Sequence, residues 1–160
     1  TALVYSADKR VICEWRITIT DVSGTALFVG FSDAKVEIRT AIAIHYPDDS
    51  LNTVATDAVG FVIDADHATS SIMCASVKNG TDTTPVDTGI DWADGETRTL
   101  RVELDVDGGA TFFVDGVVYA YIANAVTDST LLCCTVQAMT RANDGANTVR
   151  VRSFDAWQDD

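Results

Sequence analysis

The sequence is poor in proline, histidine and methionine, with two of each among 160 residues, and it holds only four glutamates. No apolar run reaches the roughly 18–20 residues that a membrane-spanning helix needs. No two cysteines have the two-residue spacing of a zinc site or a redox motif. No glycine-rich phosphate loop is present, and His45 and His67 lie in no Ser/His/Asp or Cys/His arrangement. Basic residues are scarce as well: 11 against 24 acids give a net charge of −13. Such a chain repels phosphate backbones and anionic lipid surfaces, so neither nucleic acid nor membrane is expected as a partner. The start, Thr1-Ala2-Leu3-Val4-Tyr5, has neither an initiator Met nor a basic-then-apolar leader, from which a processed or excised chain is expected. No cofactor, metal or catalytic residue is assigned.

What is present points to strands and turns. Twenty of the 24 acids are Asp, a residue poor in helix interiors and common in turns. Hydrophobic residues make up 47% of a 17.1 kDa chain, enough for one sizeable core, and a single domain over residues 1–160 is expected. Cys13, Cys74, Cys133 and Cys134 all sit in apolar stretches and read first as small buried hydrophobes. On a strand, Cys133 and Cys134 face opposite sides and cannot bond each other. A bridge from Cys13 to Cys74 or to one of the later pair stays open.

Period-two alternation dominates. Val11, Cys13, Trp15, Ile17 and Ile19 form one apolar face, and Asp21-Val22-Ser23-Gly24 reads as a turn. Thr25 to Phe31 is too apolar for one solvated face and is expected at the centre of a sheet. Lys35 to Tyr46 favours strand, and Pro47 to Thr56 reads as a surface loop. Ala58 to Asp64 and Ser71 to Val77 follow as strands. Lys78 to Glu96, with Asn79-Gly80, Pro85, Gly89 and Asp94-Gly95, reads as a long loop with one short strand. Leu100, Val102, Leu104 and Val106 alternate with Arg101, Glu103 and Asp105. Asp107-Gly108-Gly109 and Asp115-Gly116 then turn the chain through two hairpins, Ala110 to Val114 and Val117 to Ile122. Leu131 to Met139 and Val149 to Phe154 close the series, joined by a loop holding Asn143-Asp144-Gly145. About ten strands without a convincing helix predict an all-β fold, a two-sheet antiparallel jelly-roll sandwich.

Three groups of residues could carry function. Glu103, Asp105 and Asp107 would share a strand face, and two carboxylates about 5–5.5 Å apart are what a retaining glycosidase needs; a solvated strand face outweighs that reading. Asp105, Asp107, Asp115 and Asn143-Asp144 supply oxygen atoms of the type calcium takes, without an EF-hand loop. Trp92, in the long loop beside Asp91, is expected to be an exposed aromatic, and such residues bind sugars or proteins. With Asn79, which heads a formal Asn-Gly-Thr glycosylation acceptor, Trp92 and Asp91 form the candidate binding set. Trp15 is expected in the core and Trp157 over an open core edge.

From Gly60 onward the order of features resembles the concanavalin A-like (laminin G-like) jelly roll. The residues that carry the likeness are Gly60-Phe61-Val62-Ile63-Asp64, Thr99 to Asp105, Asp107-Gly108-Gly109, Phe112-Phe113-Val114-Asp115-Gly116 and Val149 to Phe154; upstream, Cys13 to Ile19 and Phe28 to Asp33 extend it. Glu103-Leu104-Asp105-Val106-Asp107 is similar to the E-x-D-x-E strand of jelly-roll glucanases, but ends in Asp and lies on a later strand than theirs. The Phe28-Val29-Gly30-Phe31-Ser32-Asp33 stretch is similar to domains of bacteriophage virions. That resemblance implies a non-enzymatic structural role: capsid decoration or a fibre domain, located on the capsid surface, a homo-oligomer whose partners are the major capsid protein or other virion proteins. The alternative it implies is a carbohydrate-binding, lectin-like module, with glycan as partner; a glycoside hydrolase stands third.

Overall fold

The computed structural model describes residues 4–34, 42–141 and 147–159. Fourteen strands follow in chain order: β1 (Val4–Ser6), β2 (Val11–Ile19), β3 (Thr25–Ser32), β4 (Ile44–His45), β5 (Asn52–Thr53), β6 (Ala58–Asp64), β7 (Ser71–Lys78), β8 (Thr81–Asp82), β9 (Val86–Asp91), β10 (Thr97–Leu104), β11 (Ala110–Val114), β12 (Val117–Ile122), β13 (Leu131–Thr140) and β14 (Val149–Gln158). One 3-10 turn, Pro47–Asp49, is the only helical element among the described residues. The larger sheet runs β1-β13-β3-β6-β7, with both β8 and β9 paired to β7; the smaller runs β12-β11-β10-β2-β14. Every pairing is antiparallel. The all-β jelly-roll sandwich read from the alternation is the observed fold.

The core lies between the sheets. Val11, Cys13, Trp15, Ile17 and Ile19 of β2 face Leu27, Val29 and Phe31 of β3 and Val59, Phe61 and Ile63 of β6. Phe61 and Phe112 meet edge to face at 5.3 Å, and Trp15 and Phe31 do so at 6.3 Å. Burying each large side chain is worth about 1.5–3 kcal/mol, and each aromatic pair adds about 0.5–1.5 kcal/mol. A disulfide between Cys13 on β2 and Cys134 on β13 clips one sheet to the other across 121 residues of sequence, while Cys74 and Cys133 are buried and free. The first reading of all four as simple buried hydrophobes is therefore corrected for two of them.

A second, smaller core explains why β3 is apolar on both faces. Ile42, Ala43, Ile44 and Tyr46 fold over the outer face of the larger sheet and bury Phe28, Val62, Met73, Ala75 and Val77. Within the region read as a strand, 35–41 lies outside the described residues and only Ile44–His45 pairs. The loop read between Lys78 and Glu96 is more ordered than expected, since β8 and β9 both dock on β7. Val106, expected on the apolar face with Leu104, is instead 57% exposed, because β10 ends at Leu104. The Asn143-Asp144-Gly145 turn lies outside the described residues.

Candidate functional site

Three connections meet at one end of the sandwich: β2–β3, β6–β7 and β9–β10. Each is fixed by its own hydrogen bonds. The Val22 N–H donates to Asp94 Oδ1 (2.8 Å), and the Gly95 N–H to the Ile19 carbonyl (2.8 Å), which ties the first connection to the third. The Ser70 hydroxyl donates to Asp91 Oδ1 (2.9 Å), which ties the second to the end of β9. Between them lies a cleft of about 550 Å³ lined by Val22, Ser23, Asp64, His67, Ala68, Ser70, Trp92 and Asp94. Its walls carry carboxylates, hydroxyls and an imidazole over an apolar floor, a lining that can exchange hydrogen bonds with a small polar molecule.

Asp64 is the anchor of this end. Its side chain is wholly buried at the end of β6 and accepts a two-pronged contact from Arg141, at 2.9 Å from Nε and 2.6 Å from Nη2. It also accepts from the Tyr46 N–H (2.8 Å) and the Asp66 N–H (3.1 Å). That hydrogen bonding to Asp64 holds the Arg141 guanidinium above its ordinary pKa. His45, buried beside the pair, is pushed below the usual histidine value, first by desolvation and then by the Arg141 charge. The Tyr46 hydroxyl rises to about 12 through burial and neighbouring carboxylates. The Tyr46 ring packs edge-on to His67 at 4.2 Å, which sets the His67 imidazole on the cleft wall.

The predicted site residues fall in two places. Trp92 lines the cleft but is 3% exposed, and its indole N–H donates to the Glu96 carbonyl (3.1 Å). The expected exposed platform is thus corrected: the tight turn from Ala93 to Glu96 folds the indole into the core, where it forms part of the cleft floor. Asp91 is exposed at the rim and holds Ser70. Asn79 lies past the far end of β7, about 25 Å away along the strand. It is exposed, in the left-handed region at φ 48°, and takes no part in the cleft.

The carboxylates considered for glycosidase chemistry do not line up. Glu103 sits on the outer face of the smaller sheet, held by Arg10 (3.2 Å) and Arg101 (3.2 Å). Asp105 lies beyond the end of β10 and caps the following turn, accepting from the Asp107 N–H (3.0 Å), the Gly109 N–H (2.7 Å) and the Tyr121 hydroxyl (3.0 Å). Trp157 is 44% exposed and stands opposite Ile12 on the outer face; Phe154, not Trp157, packs on Trp15 at the core edge. Among the described residues no cluster of His, Cys, Asp and Glu has the arrangement of a metal site. Sequence reasoning missed Asp64, His67 and Arg141. Asp64 ends a strand where a turn aspartate is ordinary, and its partner lies 77 residues on, so no local signal marks the pair.

No protein-family model matches the sequence, and no curated protein matches it. Solved structures match over nearly the whole chain. The carbohydrate recognition domain of Emp47p superposes with a TM-score of 0.68 at 14% identity, covering 98% of this chain and 75% of that one. The carbohydrate-binding module CBM66 from Bacillus subtilis gives 0.57 at 13%, covering 96% and 76%. The alginate lyase AlgAT5 of polysaccharide lyase family 7 gives 0.58 at 9%, covering 98% and 63%. At such identities the likeness is one of fold: a two-sheet antiparallel sandwich.

Proposed function

We propose that this domain binds neutral carbohydrate in the end cleft, as a lectin-like module. The observation that carries the reading is the cleft itself: a concave site whose lining offers the acceptors and donors that vicinal sugar hydroxyls require. Asp94 supplies a carboxylate, Ser23 and Ser70 hydroxyls, and His67 a ring nitrogen. Acidic lining and a net charge of −13 work against uronic acids and sulfated sugars, since like charges repel. The named neighbours supply support of fold: two of the three are, by their own descriptions, carbohydrate-recognising domains. The third is a lyase, and the same scaffold hosts both roles. The virion role implied by sequence resemblance has no structural observation behind it, and none of these neighbours points to it.

Ala68 is exposed on the cleft rim, so Ala68→Trp fills the site while leaving the core alone. The wild-type protein is expected to retain neutral glycans on an immobilised panel, and Ala68→Trp to lose that retention with an unchanged circular dichroism spectrum. Equal retention by both proteins would move binding away from the cleft.

A further inference from the structure

Seven arginines lie among the described residues. Arg10, Arg98, Arg101 and Arg141 are each held by a carboxylate. Arg16, Arg150 and Arg152 have no ion-pair partner among the described residues, although acids outnumber bases 24 to 11 in the chain. These three are exposed and stand together on the outer face of the smaller sheet. Alternation sets Arg16 and Thr18 of β2 outward, since Trp15 and Ile17 fill the core. Ser153 of β14 stands opposite Arg16, and Arg150 opposite Thr18. Arg16 and Arg150 are therefore diagonal neighbours, roughly 7–8 Å apart, a gap that long side chains span. The irregularity between Val151 and Ser153 brings Arg152 to the same face, where its Nε donates to Thr18 Oγ1 at 3.1 Å. Thr18 Oγ1 also shares a hydrogen bond of 2.7 Å with Thr97 Oγ1 of β10, so Arg152 is anchored through Nε and its terminal nitrogens point to no partner among the described residues. Glu14 and Asp155 lie one step further along this face, and Glu14 is engaged by Arg101 at 3.9 Å. Three like charges this close repel one another, at a cost that a bound anion would remove.

We propose that Arg16, Arg150 and Arg152 bind one sulfate or phosphate group, carried as an isolated ester on an otherwise neutral saccharide. Each guanidinium presents its N–H donors as a fork, and a tetrahedral oxyanion has more acceptor oxygens to share among three forks than a carboxylate has. The Ser153 hydroxyl, opposite Arg16 on the same face, adds a neutral donor. The charge of the whole chain limits what can approach. At −13 it repels a polyanion along its length, whereas a lone ester meets chiefly the local cations, because distant charges are screened by salt. That the ester sits on a saccharide rests on the function proposed above; the anion site itself does not.

Arginine Nε–H signals in a nitrogen–proton correlation spectrum test this directly. Inorganic sulfate, inorganic phosphate, glucose 6-sulfate and glucose 6-phosphate are each titrated against chloride at fixed ionic strength. All four are expected to move the Arg152 signal to saturation, and glucose to leave it in place. Arg16→Gln and Arg150→Gln, both at exposed positions, should each weaken binding by about tenfold. Arg10→Gln makes the same change in net charge at the opposite end of β2 and should leave the affinity as it is. A signal that never saturates overturns the proposal. So does equal weakening by all three variants, which marks a general response to charge. Binding of the inorganic ions without either sugar ester would overturn the saccharide carrier, and dextran sulfate binding more tightly, sulfate for sulfate, than glucose 6-sulfate would overturn the restriction to an isolated ester. Ala68→Trp, which fills the cleft, should change none of these titrations, so failure here and failure of the cleft to bind sugar are told apart.

Discussion

Asp64 accepts four hydrogen bonds and has no side-chain exposure, so the fold depends on it more than on any other charged residue at this end. Its worth lies in what its loss would leave behind. In Asp64→Asn the Arg141 guanidinium, 10% exposed, keeps its charge and loses its buried counter-ion, with only the half-exposed Asp66 left at 3.3 Å. A buried charge left without its partner costs about 3–5 kcal/mol; with Asp66 still beside Arg141, urea unfolding of Asp64→Asn should show a loss near the lower end of that range, and a change under about 1 kcal/mol would mean the pair behaves as a surface contact. Trp92 teaches a related lesson. A tryptophan between Asp91 and Ala93 in a glycine-bearing stretch reads as exposed because its neighbours are polar. The indole is buried because the Glu96 carbonyl, four residues on, meets its N–H and satisfies its one polar atom. That closure is a matter of backbone path, which residue types alone do not reveal.

At the scale of elements, alternation was a faithful guide wherever one face meets the core and the other meets water. β2, β10 and β11 show it, with Leu100, Val102 and Leu104 buried between half-exposed neighbours. β3 and β6 broke the pattern for a physical reason: a flap from Ile42 to Ala55 covers their outer face. The elements missed or misjudged were the two-residue strands and the end of β10, where a carboxylate chooses between extending a strand face and capping a turn. Asp105 caps, because the Asp-Gly-Gly sequence puts Gly108 in the left-handed region at φ 74°. β3 and β6 also carry a packing constraint at Gly30 and Gly60, which face each other across the ladder. A Cβ at Gly60 would meet the Val29 carbonyl, the Gly30 Cα at 2.8 Å and the Phe28 ring at 2.9 Å. Gly60→Ala should therefore destabilise the protein by about 1–3 kcal/mol, read as a lower urea midpoint. An unchanged midpoint would show that β3 and β6 shift apart more easily than their contacts imply.

Across the whole molecule, the cleft lies at one end of a sandwich whose two sheets are joined by a disulfide. The Cys13–Cys134 bond fixes the two sheets to each other and contributes about 2–4 kcal/mol by restricting the unfolded chain. Neither residue type nor spacing singled out that pairing, because its two cysteines come together only once β2 and β13 belong to facing sheets. The architecture was legible from turn signals and strand count. The cleft was not, because three connections from separate stretches of sequence build it and each reads alone as an ordinary polar loop. The three tryptophans happen to report on three regions: Trp15 in the core, Trp92 under the cleft and Trp157 on the outer face of the smaller sheet. Their indole N–H signals in a nitrogen–proton correlation spectrum, followed while a neutral oligosaccharide is added, test the central claim most directly. The account predicts that the Trp92 signal moves and saturates, together with backbone signals of Ser23 and of Ala68 to Ser70, while Trp15 and Trp157 stay in place. Movement of Trp157 with Trp92 unmoved, or no movement of any signal across a panel of neutral sugars, would contradict it.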